Sequence, residues 1–192
     1  RIVTVDGVML PESAADLQVR LNNIYKQAVT KVDLGGDYIT SFTPGLSGIF
    51  SDLPSGWLSA YNSQMSSLIN EFEDVYPGVE DDTYYLFVLP INSETPTRSG
   101  FMPKKRKYGF IYNHVVSNPV ALAKTIAHEL GHGAFVLEHT FETYENNTEV
   151  NRQAGERTNN LMDYDATGTR LYKYQWDLIH DPVTAPLLPG DG

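Results

Sequence analysis

The chain has 192 residues, 41% hydrophobic and 20% charged, which suits one globular domain with a core of its own. Its 14 basic and 24 acidic residues leave a formal charge of −10, which argues against a nucleic-acid partner or an anionic membrane surface. Cysteine is absent, so disulfides, thiolate catalysis and Cys-ligated zinc are excluded, and no apolar run reaches the length of a membrane span.

In chain order, residues 14–29 place Leu17, Leu21, Ile24, Tyr25 and Ala28 three or four apart, predicting an amphipathic helix with Ser13 as N-cap. A short strand is expected over Thr30–Leu34, ending at Gly35-Gly36. Residues 41–56, rich in Ser, Gly and Pro, read as a loop. A second helix is predicted over 57–75, with Trp57, Leu58, Tyr61, Met65, Leu68, Ile69 and Phe72 on one side, stopped by Tyr76-Pro77-Gly78. Residues 83–91 (TYYLFVLPI) are nearly continuous β-formers and predict a strand buried on both faces. Asp81-Asp82 before it reads as a solvated acidic turn. A loop with Pro96, Gly100 and Pro103 leads to a second strand at 108–113. The basic run Lys104-Lys105-Arg106-Lys107 between them is either a solvated sheet margin or a rim that favours acidic substrates.

Asn118-Pro119 opens a third helix, with Asn as N-cap and Pro at the first helical position. Gly131 and Gly133 mark its expected end. Residues 142–160 read as an irregular surface stretch, 169–180 as a last helix, and 181–192 as a fraying tail. His114 and His180 read as structural or surface residues.

His128-Glu129-Leu130-Gly131-His132 lies on the third helix. Histidines four apart are separated by about 40° around the axis and about 6 Å along it, so both can close on one ion. Zinc would acidify water, and Glu129, directly after the first ligand, is placed to take its proton. A catalytic zinc needs a third protein ligand. Downstream stand Glu138, His139, Glu142, Glu145 and Glu149. On a straight helix His139 would lie about 10 Å beyond His132, out of reach, so the chain must turn, with Gly133 as the available break. His139 is preferred, because zinc favours His and a short loop suffices.

These residues resemble the zincin metallopeptidases and, among them, the metzincins. The resemblance rests on His128, Glu129, His132 and His139, followed by Asn160-Leu161-Met162-Asp163-Tyr164 as the turn whose Met lies beneath the metal. The predicted order of elements agrees over most of the chain, although only residues 128–164 carry specific motifs. One departure stands out. The usual third ligand falls ten residues after the first, where this chain has Glu138, and Phe135 stands where the family has Gly. Either the loop holds one extra residue, or Glu138 is the ligand. A site completed by Glu149 is the less favoured alternative, since it leaves the Met162 turn unexplained.

The resemblance implies an α+β fold, a twisted mixed sheet with an active-site helix and a C-terminal helix flanking a cleft. It implies a single catalytic domain over 1–192, with an upper lobe at about 1–133, a lower lobe at 134–180 and a tail. The implied activity is that of a zinc-dependent endopeptidase holding one catalytic ion. Glu129 would act as base, Tyr164 as oxyanion donor, and Tyr108, Gly109, Phe110 and Ile111 as the edge strand that pairs with a peptide or protein substrate. The expected molecule is a secreted monomer, or a domain cut from a longer chain. Two other readings remain: a zinc-binding interaction module that cleaves nothing, and a zinc hydrolase of a non-peptide amide.

Overall fold

The computed structural model describes residues 1–35, 39–52, 61–79, 82–141, 158–165 and 167–180, with backbone only at 39–42. Among them lie strands β1 (Ile2–Val5), β2 (Ile39–Phe42), β3 (Tyr85–Val88), β4 (Gly100–Phe101) and β5 (Tyr108–Ile111). The helices are α1 (Ala14–Tyr25), α2 (Ser63–Val75), α3 (Pro119–Phe135) and α4 (Lys173–His180). The strands form one sheet in the order β2-β1-β3-β5-β4. Neighbours run parallel except β4, which pairs antiparallel with β5.

Alternation along the strands builds two cores. Leu86, Val88 and Ile111 face α1 and α3, where Leu17, Leu21, Tyr25, Ile126 and Leu130 meet them. Tyr85, Phe87, Tyr108 and Phe110 face α2, against Met65, Leu68 and Phe72. Phe72 meets Phe87 edge-on at 5.2 Å, and Phe87 stacks on Phe110 at 5.6 Å. Each such ring contributes roughly 1.5–3 kcal/mol by leaving water. The result is a mixed α+β fold in which helices cover both faces of the sheet.

Helix α3 is the centre of the molecule. Asn118 accepts from the N–H groups of Val120 and Ala121, and Pro119 stands in the first turn. Most of its length is buried, and the Tyr25 hydroxyl of α1 donates to the Ala127 carbonyl at 2.7 Å. On the sheet side, Met102 fills the gap left by two glycines. A Cβ at Gly109 would lie 3.1 Å from Met102, and one at Gly133 would lie 2.4 Å from its Sδ.

Several local expectations need correction. Residues 30–34 form no strand; β2 begins at Ile39, just before and into the stretch read as a loop. Helix α2 starts at Ser63, capped by Asn62, and α4 is shorter than 169–180. Helix α3 does not end at Gly133. That glycine stays helical because its missing side chain lets Met102 approach, and the chain turns at Val136 instead. Finally, Tyr108–Ile111 is not an edge along its whole length. It is paired with β3 on one side and, at Phe110 and Ile111, with β4 on the other, so among the described residues the outer strand on this side is Gly100–Phe101.

Candidate metal centre

Helical spacing brings the rings of His128 and His132 to 4.8 Å, nearly perpendicular. Each ring is oriented by a backbone carbonyl. His128 Nδ1 lies 2.9 Å from the Leu161 oxygen, and His132 Nδ1 lies 2.7 Å from the Leu137 oxygen. A carbonyl only accepts, so both Nδ1 atoms carry the ring proton and both Nε2 atoms present lone pairs. Those two Nε2 atoms face each other at 3.2 Å. With no proton to share between them, the contact is repulsive unless a cation sits there. Two nitrogens bound tetrahedrally to zinc at roughly 2.05 Å lie about 3.3 Å apart.

His139 completes the group. Its ring centroid lies 4.8 Å from that of His132 and 5.4 Å from that of His128. One ligand atom from each of the three histidines lies within 4.8 Å of the others, so the cluster could hold a metal ion. His139 gets there through the turn at Val136, whose φ of 56° is left-handed. The Leu137 N–H then returns to the Gly131 carbonyl at 2.9 Å, closing the helix end. Phe141 stacks flat on the His139 ring at 5.1 Å, and Tyr164 meets it edge-on at 4.9 Å.

The segment Asn160–Asp163 lies against this cluster. Asn160 Oδ1 accepts the Met162 N–H, and the Asn160 and Gln175 amides exchange two hydrogen bonds, tying the turn to α4. Met162 is fully buried, and a Cβ at Gly131 would lie 2.6 Å from its Sδ. Glycine at 131, between the two helical histidines, therefore lets the turn press on the helix. The buried Asp163 carboxylate accepts from the Thr140 N–H at 3.0 Å and from the hydroxyls of Thr140 and Thr158. It fastens the residue after His139 to the turn that orients His128.

Glu129 is 5% exposed. Burial pushes its carboxyl up to about 8, while Lys124, Arg98 and the Met102 N–H pull the other way. The same desolvation holds His128 well below 6.5 and His132 down to about 3, with neighbouring histidine and lysine charges adding to it. Both rings are therefore neutral near pH 7, the form that binds metals. A Cβ at Gly100 would lie 2.7 Å from Glu129 Oε1. The true sheet margin thus runs past the Glu129 carboxyl, a role that sequence reasoning gave to Tyr108–Ile111.

Glu138 is not part of the cluster; it is 7% exposed and forms an ion pair with Lys104. Glu142, Glu145 and Glu149 lie outside the described residues. Tyr164 is 52% exposed and borders the cluster through His139. His180 bonds the Ala28 carbonyl and His114 lies near Ser99 Oγ, both apart from the site. The orienting carbonyls of Leu137 and Leu161 leave no trace in a sequence. Gly100 does leave one, since a glycine in a strand often marks a close approach.

No known protein family matches the chain, and no curated protein matches it. Among the described residues no helix is long and apolar enough to cross a membrane.

Proposed function

We propose that His128, His132 and His139 bind one zinc ion and that the protein is a metzincin-like metalloendopeptidase, a single catalytic domain acting on peptides or proteins. The observation that carries the metal is the pair of Nε2 lone pairs fixed 3.2 Å apart by two backbone carbonyls. Three imidazoles suit zinc, and an N3 set leaves a fourth position for chemistry. Zinc, when bound, supplies Lewis acidity toward a carbonyl and toward water. Glu129 stands next to the first histidine, and its carboxylate form is favoured once a dication is near. It takes the proton from the attacking water and returns it to the leaving amine. Tyr164, half-exposed beside His139, donates its hydroxyl to the developing oxyanion. The short outer strand at Gly100–Phe101 passes beside Glu129 and offers its margin to an extended peptide.

The Asn160–Asp163 turn adds support, because it joins the ligands through Leu161 and Asp163 with Met162 packed beneath. A module that only holds zinc is the second reading; it leaves the buried carboxyl of Glu129 without a purpose. A secreted monomer is the proposed form.

Elemental analysis of the purified protein tests the metal, with about one zinc per chain expected. His139→Ala should lose affinity strongly and Glu138→Ala should keep it. Glu129→Gln should hold zinc and lose peptide hydrolysis. Absence of zinc under metal-replete conditions would overturn the proposal, and turnover retained in Glu129→Gln would overturn the mechanism.

A further inference from the structure

The turn beneath the histidine cluster is joined to α4 by two fully buried side chains, Asn160 and Gln175. Their amides face each other. Asn160 Nδ2 donates to Gln175 Oε1 at 2.8 Å, and Gln175 Nε2 donates to Asn160 Oδ1 at 3.1 Å. Two backbone donors fix which way round the amides stand, because an N–H needs an oxygen. The Met162 N–H donates to Asn160 Oδ1 at 2.9 Å, and the Tyr172 N–H donates to Gln175 Oε1 at 2.9 Å. Each amide oxygen thus accepts two donors.

Each end of this link has a further attachment. The Trp176 N–H closes the first turn of α4 on the Tyr172 carbonyl at 3.0 Å, so Tyr172 caps the helix and Gln175 is its third residue. A side chain at that position reaching back to the N–H of the cap is half of a capping box. Helix α4 is in turn fixed to the body, by Ile179 in the core and by His180 on the Ala28 carbonyl. At the other end, Leu161 lies between Asn160 and Met162, whose backbone N–H the Asn160 side chain holds. The Leu161 N–H donates to the Arg170 carbonyl at 2.7 Å, and its carbonyl meets His128 Nδ1 at 2.9 Å.

Two buried amides add little net stability, since each gave up hydrogen bonds with water to pair. Their effect is directional, because a buried amide accepts partners only at bonding distance and near its own plane.

We infer that Gln175 is a positioning residue for the metal cluster: it fixes Asn160, and through Asn160 it holds the turn whose Leu161 carbonyl aims His128. The inference rests on the metal proposal and is independent of peptide cleavage. Gln175 acts by way of Asn160 and Leu161 and takes no part in ligation.

Gln175→Glu separates this role from helix capping. The carboxylate keeps the oxygen that caps α4 but brings no donor to Asn160 Oδ1. Zinc affinity, measured on the folded variant by competition with a chromophoric chelator, should fall at least about tenfold, the scale for losing a contact behind a ligand. The cobalt-substituted variant should show an altered d–d spectrum. Gln175→Met, which removes donor and acceptor together, should lower affinity likewise. Zinc affinity equal to that of the parent in Gln175→Glu overturns the inference, whatever the effect on urea denaturation. Should neither variant fold, the parent decides by linkage: if the network supports the metal, the metal supports the network. Zinc should slow hydrogen exchange at the Tyr172 N–H at least about tenfold more than at the Met65 N–H, which Asn62 holds against the other core. Equal slowing at the two amides overturns the inference. Where the parent takes up no zinc, the metal proposal fails and the His128 ring decides the positioning alone. Its Nδ1 proton should exchange with solvent at least about tenfold faster in Gln175→Glu than in the parent, and equal rates overturn the inference.

Discussion

Replacing Asp163 by Ala should weaken both the fold and the metal site. Its fully buried carboxylate collects three donors: the Thr140 N–H at 3.0 Å, the Thr140 hydroxyl at 2.7 Å and the Thr158 hydroxyl. Hydrogen bonds to a charged acceptor contribute about 1.5–3 kcal/mol each, but the two hydroxyls can rotate to other acceptors. The Thr140 N–H cannot, and leaving it unpaired in the interior costs about 1–3 kcal/mol by itself. A total loss of about 3–5 kcal/mol follows for Asp163→Ala, and about 1–2 kcal/mol for Asp163→Asn, which keeps one acceptor oxygen. Because Thr140 follows His139 directly, the same change frees His139, the proposed third ligand. Loss of an outer contact of this kind lowers metal affinity about 10- to 100-fold. Urea denaturation of the metal-free protein gives the first quantity, and competition with a chromophoric chelator gives the second. A variant that denatures as calculated but binds zinc as tightly as the parent would refute the coupling. A stability loss below about 1 kcal/mol would refute the staple itself.

The metal-free protein should show a stability maximum near neutral pH. His128 and His132 have folded pKa values depressed below 6.5, so their contribution is present above about pH 6.5 and is lost as pH falls toward about 3. Glu129 is raised from 4.5 to about 8, so its contribution is present below about pH 4.5 and is lost as pH rises through about 8. Denaturation midpoints should therefore fall on both sides, and Glu129→Gln should flatten the alkaline fall alone; identical alkaline slopes in the two proteins would contradict this. Gly100→Ala puts a methyl 2.7 Å from Glu129 Oε1 and 2.8 Å from its Cγ, so the carboxyl must move. Zinc content should hold while peptide turnover falls about 10- to 100-fold, the scale expected for misplacing a reacting group by a fraction of an ångström to an ångström. Unchanged turnover would show that the strand margin does not position the base.

Much of the fold was legible where the signal is local. Ser13 and Asn118 cap the helices they were read to cap, because a side chain that bonds its own following backbone needs no distant partner. The run at 83–91 was read as buried on both faces, and β3 is covered by α3 on one face and α2 on the other. Strands β1, β2 and β4 were not found. What makes them strands is pairing across the sheet. The same blindness misplaced the edge. Phe110 and Ile111 look like a margin strand until Gly100 and Phe101, from a segment read as loop, pair outside them.

In the site, the helical pair and the intervening acid followed from helix geometry alone, while the place of the third histidine rests on long-range contacts. Glu138 and His139 are adjacent, and nothing local separates them. What separates them in the fold is Lys104, from the loop between β4 and β5, which engages Glu138, and the staple of Thr140 by Asp163. The turn was misplaced for a related reason. A glycine invites a break, but Gly133 is needed where Met102 presses on the helix. The reversal falls to Val136, a β-branched residue at a φ of 56°, a conformation costing roughly 1–2 kcal/mol. Two residues separate Val136 from His139 and three separate His132 from Val136, so the helix continues past His132 before the loop begins. Leu137 then does two jobs: its N–H closes the helix end on Gly131, and its carbonyl orients His132. Strain at Val136 is held by the same residue that orients His132, so stopping the helix and aiming the imidazole are one structural event.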